Sequence, residues 1–298
     1  MAGTKRSWEG KPLRDDGTRS QTAITMTSDE PSTPILAMFG TFRDELDEHH
    51  DRRERLIKIS RDITGLSKKI IFSLQRVRTL PTPTLPPSIE KETSSRFTQI
   101  NELFLSAVPE LNALKSWRYQ RQISSGVQEY IEALSFHYYL RHQSLISLPQ
   151  VRETLPDGIL VSEEDYLMGL FDLTGEMMRF AVMALSSGQA QSKTEASEQQ
   201  AKAEGEGEGE AAGPSKPTLS SSQAGIVVDL QALRFLFEGL SVPRRHFMFK
   251  DLGKKTDVMQ NSVEKVERAA YGILVRGSER PAGWMPDLSS AQVEMESY

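Results

Sequence analysis

Residues 52–77 read RRERLIKISRDITGLSKKIIFSLQRV, and their apolar members decide the fold class. Leu56, Ile59, Ile63, Leu66, Ile70, Leu74 and Val77 recur at intervals of three or four. On a helix of ~3.6 residues per turn that spacing gathers them on one face, a seam for packing against other helices. The lysines and arginines between them fall largely on the remaining faces. The spacing predicts a long helix over about 34–77, ended by four prolines within 79–87.

Helical periodicity continues on the C-terminal side. Segments at about 88–107 and 111–142 carry it, the second broken near its start. Ser162 with Asp165 three residues on resembles a capping box, with Asp in place of the usual Glu or Gln. It opens a helix to about residue 186, whose apolar face includes Tyr166, Leu170, Phe171, Met177 and Phe180. Two further helices are predicted at about 226–240 and 254–276. No stretch shows strand alternation, and no internal repeat is present. The fold class expected is all-α, a single bundle of about six or seven helices.

Composition marks the segments that leave this bundle. Residues 1–33 are rich in Ser, Thr, Gly and charge and read as a disordered tail. Residues 189–223 hold three Lys against six Glu, alternate Gly and Glu over 205–210, and contain Leu219 as their one large apolar side chain. They are expected to form a flexible acidic linker between the two parts of the bundle, 34–188 and 224–298.

Several chemistries drop out by inspection. With no cysteine among 298 residues, disulfides, thiolate metal sites and cysteine nucleophiles are absent. There is no Walker A sequence, no G-x-G-x-x-G after a strand, no G-x-S-x-G elbow and no H-E-x-x-H. The five histidines lack zinc-ligand spacing. No apolar run approaches the ~18–20 residues of a membrane span, and the N-terminus lacks a secretory pattern, so no membrane partner is expected. Lys5, Arg6, Lys11 and Arg14 form a weak nuclear-import patch, and the expected location is cytoplasmic and nuclear.

The carboxylates are the informative inventory. Glu129 and Glu132 lie three apart on one predicted helix, and Asp172 and Glu176 four apart on another, so each pair shares a face. Both pairs sit inside apolar stretches. If the two helices are neighbours, four carboxylates converge, and such hard-oxygen clusters bind Mg²⁺ or Mn²⁺. The alternative is pairing with Arg118, Arg121, Arg179 or solvent. Net charge is 36 − 41 = −5, yet residues 52–78 hold nine Lys or Arg against Glu54 and Asp62, a local +7. A phosphate backbone responds to such a local field, which makes Lys58, Arg61, Lys68 and Lys69 candidate nucleic-acid-binding residues beside the blander reading of a solvated face.

Residues 165–179, DYLMGLFDLTGEMMR, closely resemble the signature helix of the translin family. The likeness is closer to its translin-associated factor X branch than to translin itself. Residues 42–64 (FRDELDEHHDRRERLIKISRDIT), 126–136 (GVQEYIEALSF), 141–147 (RHQSLIS) and 263–279 (VEKVERAAYGILVRGSE) extend the resemblance in order along the chain. It implies an all-α translin-like fold, and Glu129, Glu132 and Asp172 occupy the positions of the factor X endoribonuclease site. It further implies Mg²⁺ as cofactor, with Mn²⁺ as substitute, Glu176 as supporting ligand, and mixed oligomers of this chain with translin-type subunits that enclose single-stranded or small RNA. Passenger strands of small RNAs and fragments of transfer-RNA precursors are the substrates the family suggests. The chain departs from the family pattern in the acidic insert, and in a shorter connection before Val161. An inactive RNA-binding subunit and a purely structural partner stay open as alternatives. The long seam at residues 56–77 also reads as a surface needing a partner to cover it.

Overall fold

The computed structural model describes residues 33–78, 80, 84–112, 114–203, 219–243 and 249–276. They form seven α-helices and no strand: α1 (Pro34–Leu74), α2 (Pro87–Ala107), α3 (Leu114–His142), α4 (Leu148–Glu153), α5 (Glu163–Ala203), α6 (Ser221–Glu238) and α7 (Phe249–Arg276). A single 3₁₀ turn, Val108–Glu110, marks the predicted break before α3. The all-α expectation holds. No described helix is long and apolar enough to cross a membrane. The predicted tail lies outside the described residues up to position 32, as do 204–218 of the acidic segment and everything after 276.

The chain divides into two compact units, residues 1–48 and 49–298. In the first, the opening turns of α1 expose Ile35, Leu36, Phe39, Phe42 and Leu46, with the rings of Phe39 and Phe42 meeting edge to face at 6.1 Å. In the second, the predicted seam is the buried face of α1: Leu56, Ile63, Ile70 and Leu74 are fully enclosed, and Ser60 and Ser67 fill the gaps between them. This corrects the sequence-based argument for a partner. The seam is covered by the chain's own helices, because periodicity shows that a face must be buried without showing what buries it.

Helix α5 is the hub of the larger unit, packing against α3, α6 and α7. Phe136 of α3 meets Phe180 of α5 edge to face at 6.3 Å, and Phe171 of α5 stacks on Phe237 of α6 at 4.0 Å. Tyr139 of α3 donates its hydroxyl hydrogen bond to Asp229 of α6 at 2.7 Å. Helix α7 buries Met259, Val263, Val266, Ala270 and Ile273, again spaced four and three.

Three boundaries differ from the sequence reading by five residues or more, and one of them is the start of α7, at Phe249 instead of about 254. Helix α5 runs on through 187–203 instead of stopping near 186. The stretch has nothing apolar to bury, but Ala, Gln, Glu and Lys are strong intrinsic helix formers, and propensity carries the backbone onward. Helix α6 begins five residues early, because Ser220 and Gln223 form a reciprocal capping box.

Candidate metal and RNA site

Two glycines set the site from below. At Gly126 of α3 a β-carbon would stand 2.9 Å from the Ser60 carbonyl oxygen of α1. At Gly169 of α5 it would stand 2.8 Å from Cγ2 of Ile131 in α3. Neither contact is possible for a larger residue without shifting a helix, so these positions permit the close crossings of α1 with α3 and of α3 with α5. Each glycine lies three residues, about one turn, before an acid of interest: Gly126 before Glu129, and Gly169 before Asp172.

Asp165 fixes the register of the second crossing. It is 2% exposed. Its carboxylate accepts hydrogen bonds from Gln120 Nε2 (2.7 Å), Gln128 Nε2 (2.9 Å), Ser162 Oγ (2.8 Å) and Ser124 Oγ. Half of the predicted capping box is present: the Asp165 amide donates to Ser162 Oγ at 3.1 Å, while the Asp165 carboxylate accepts from the Ser162 hydroxyl. The carboxylate thus holds the capping Ser162 and clamps the start of α5 to α3, through Gln128 next to Glu129.

The four acids then face one another across α3 and α5. Glu132 is 8% exposed and its carboxyl is pushed up to about 8. Burial is the largest cause, followed by the charges of Asp172, Glu129 and Glu176, with Lys255 opposing them. Glu129 meets Lys68 Nζ at 3.3 Å through Oε1, while its buried Oε2 has no hydrogen-bond partner. Asp172 accepts hydrogen bonds at both oxygens from Lys255 Nζ, each at 2.5 Å. Glu176 accepts from Gln75 Nε2 at 2.8 Å and from Arg179 Nη1 at 2.6 Å, so both of its oxygens are committed. Of the arginines offered as alternative partners, Arg179 does pair with an acid of the cluster.

As the side chains stand, no three His, Cys, Asp or Glu residues among those described are arranged to hold a metal ion. Asp172 and Glu129 are turned to their lysines instead. The donor set still fits Mg²⁺ or Mn²⁺: it consists of hard carboxylate oxygens, one of them buried and unpartnered, in a setting where burial, and after it the neighbouring acids, push the Glu132 carboxyl up.

Lys255 is the residue that sequence reading missed. It lies four residues before Met259, on the face of α7 that packs against α5, so the apolar stripe of that helix ends in an ammonium group. The candidate RNA-binding residues Lys58, Arg61, Lys68 and Lys69 are all exposed on α1, in differing surroundings. Lys68 turns to Glu129, whereas Arg61 and Lys69 line a groove of about 530 Å³ with Gln99 and Glu102 of α2.

These observations meet a family. The family model described as "Translin family" matches residues 51–277. The chain belongs to the translin family. It is 30% identical over 288 residues to "Translin-associated protein X" of Rattus norvegicus, an alignment spanning 89% of this chain and 87% of the rat protein. It is 27% identical over 245 residues to the "Translin-associated protein X homolog" of Schizosaccharomyces pombe, covering 81% and 89%. A solved structure titled "Crystal structure of apo-NeC3PO" shares the fold with a TM-score of 0.50 at 19% identity, over 81% of this chain and 96% of that one. The translin-family match contains both glycines, all four acids and Lys255.

A pH test probes the cluster without any ligand. The folded Glu132 carboxyl lies above its ordinary value of 4.5, so its neutral form favours the folded state. That contribution is complete below pH 4.5 and is lost as pH rises through about 8. Glu132→Gln is therefore expected to melt with less pH dependence than the wild type across this window, Glu164, whose carboxyl burial raises to about 7, supplying part of what remains. At pH 9, free of divalent ions, it should melt roughly 5 °C above the wild type. Parallel melting curves for the two proteins from pH 5 to 9 would place Glu132 in water, outside the cluster.

Proposed function

We propose that this chain is the catalytic subunit of a metal-dependent endoribonuclease, assembled with a translin-type subunit and hydrolysing single-stranded or small RNA in cytoplasm and nucleus. The observation that carries the reading is the convergence of Glu129, Glu132, Asp172 and Glu176 from two helices, with a buried Glu129 oxygen left unpartnered. Glu129, Glu132 and Asp172 would hold the ion, and Glu176 supports them from its contacts with Gln75 and Arg179. Mg²⁺ or Mn²⁺, when bound, supplies charge neutralisation at phosphorus and activates water at neutral pH. The protein's own part is to fix the acids on two rigid helices and to exclude bulk water from Glu132. Exposed cations on α1 offer contacts to backbone phosphates without reading bases. The relatives named for translin-associated protein X support the catalytic branch of the family.

The lysine contacts at Asp172 and Glu129 favour a second reading, an RNA-binding or structural subunit without turnover. One assay separates them. The chain co-expressed with a translin-type subunit is given single-stranded RNA in Mg²⁺ or in chelator. Cleavage is expected only with Mg²⁺, leaving 5′-phosphate and 3′-hydroxyl ends, because water and not the RNA's 2′-hydroxyl attacks. Cyclic-phosphate ends, or full activity in chelator, would overturn the carboxylate mechanism. No cleavage in either condition would leave the non-catalytic reading.

A further inference from the structure

We infer that Lys255 is a resident counter-cation of the acid cluster, which a divalent ion must displace from Asp172, so that this lysine sets the ion concentration at which the site fills. The inference rests on the metal-dependent reading above. Lys255 Nζ sits 2.5 Å from both oxygens of Asp172. It reaches them from a different helix, 83 residues along the chain. Its side chain is 24% exposed, against 65% for Lys68, whose contact with Glu129 is longer at 3.3 Å. Lys255 is therefore the better-held cation of the two.

The geometry makes the two cations exclusive. Mg²⁺ holds carboxylate oxygens at ~2.0–2.1 Å in near-octahedral order. An ammonium that bridges both oxygens of Asp172 takes one lone pair on each, and a divalent ion approaching the pairs that remain would stand close beside that positive charge and be repelled by it. Without either cation, Asp172, Glu129 and Glu176 all press on Glu132. The lysine thus keeps the empty cluster folded, and it does so by holding the ligand the metal needs. Its flexible stem lets it leave, because an ammonium on four methylenes rotates towards solvent with little loss of packing.

The test uses Mn²⁺ as the probe and the full chain assembled with a translin-type subunit, read by electron paramagnetic resonance of free Mn²⁺ and by thermal melting. Lys255→Met is expected to bind Mn²⁺ roughly ten-fold more tightly than wild type, since the competitor is gone and the acids stay. Its metal-free melting temperature falls, and Mn²⁺ raises it by more than it raises the wild type. Lys255→Gln keeps the length and solvation of the side chain and reports the same shift if the Met variant fails to assemble. Lys255→Arg retains the charge and should stay within about three-fold of wild type. If wild type binds Mn²⁺ and neither neutral variant binds it more tightly, the role assigned to Lys255 is wrong while the metal site stands. Mn²⁺ bound by no variant and not by wild type would remove the metal reading itself.

Discussion

RNA cleavage by the assembled complex should fall by roughly a thousand-fold or more when Glu129, Glu132 or Asp172 is replaced by alanine, with helical content and assembly retained. The two halves of that expectation have separate physical grounds. Activity falls because each acid would supply an oxygen to the same ion, and losing one of so few ligands removes the charge stabilisation on which the reaction depends. Folding survives because none of the three anchors the core. Glu132 is a buried acid held neutral against its neighbours, so its removal relieves repulsion even as it opens a small cavity. Glu129 leaves one oxygen unpartnered already, and its lysine is exposed. Asp172 releases a lysine able to turn to water. Glu176→Ala should behave differently, losing stability first, since it breaks contacts to Gln75 at the end of α1 and to Arg179. Steady-state cleavage beside circular dichroism and gel filtration decides the matter. Any of the three variants retaining more than about a tenth of wild-type activity would take that residue out of the proposed site.

The second large effect concerns assembly. Expressed alone, the chain should be poorly soluble or inactive, and co-expression with a translin-type subunit should make it stable and active. The seam of α1 does not motivate this, being buried within the chain. The motive is the apolar surface left on the last two helices. Val228, Phe235 and Leu236 share one face of α6, and Tyr271, Leu274 and Val275 share one face of α7, with Phe235 78% and Tyr271 68% exposed. Faces of that kind on a soluble chain mark contact surfaces. Gel filtration with light scattering, alone and co-expressed, reads both solubility and mass. A well-behaved monomer with full nuclease activity would refute the requirement for a partner and leave the acid cluster untouched.

What could be read from the sequence was whatever repeats along one helix. The stripe of α1, the paired acids of α3 and α5, and the Ser162–Asp165 cap are periodic or local, and each is where it was expected. The other features depend on neighbours that periodicity does not identify. Helix α4 spans only six residues, too few for a stripe, although Ser147 and Gln150 cap it reciprocally. Lys255 follows another lysine and looks like an ordinary solvated pair until α7 is laid against α5. The continuation of α5 to Ala203 was hidden for the opposite reason: a polar composition was read as loose chain, while backbone propensity favours helix.

The two crossing glycines have a consequence for how this molecule can change. The gap between α3 and α5 is set by a missing side chain, so it is a property of the main chain and not of the acids that line it. Evolution or an engineer can therefore exchange the acids, or the lysines that guard them, and retune the chemistry at constant spacing. Adding a single methyl at Gly126 or Gly169 acts in the orthogonal direction, wedging the scaffold apart while every reactive group keeps its identity. Reactivity and spacing are thereby two independent dials, one turned by charge and the other by volume.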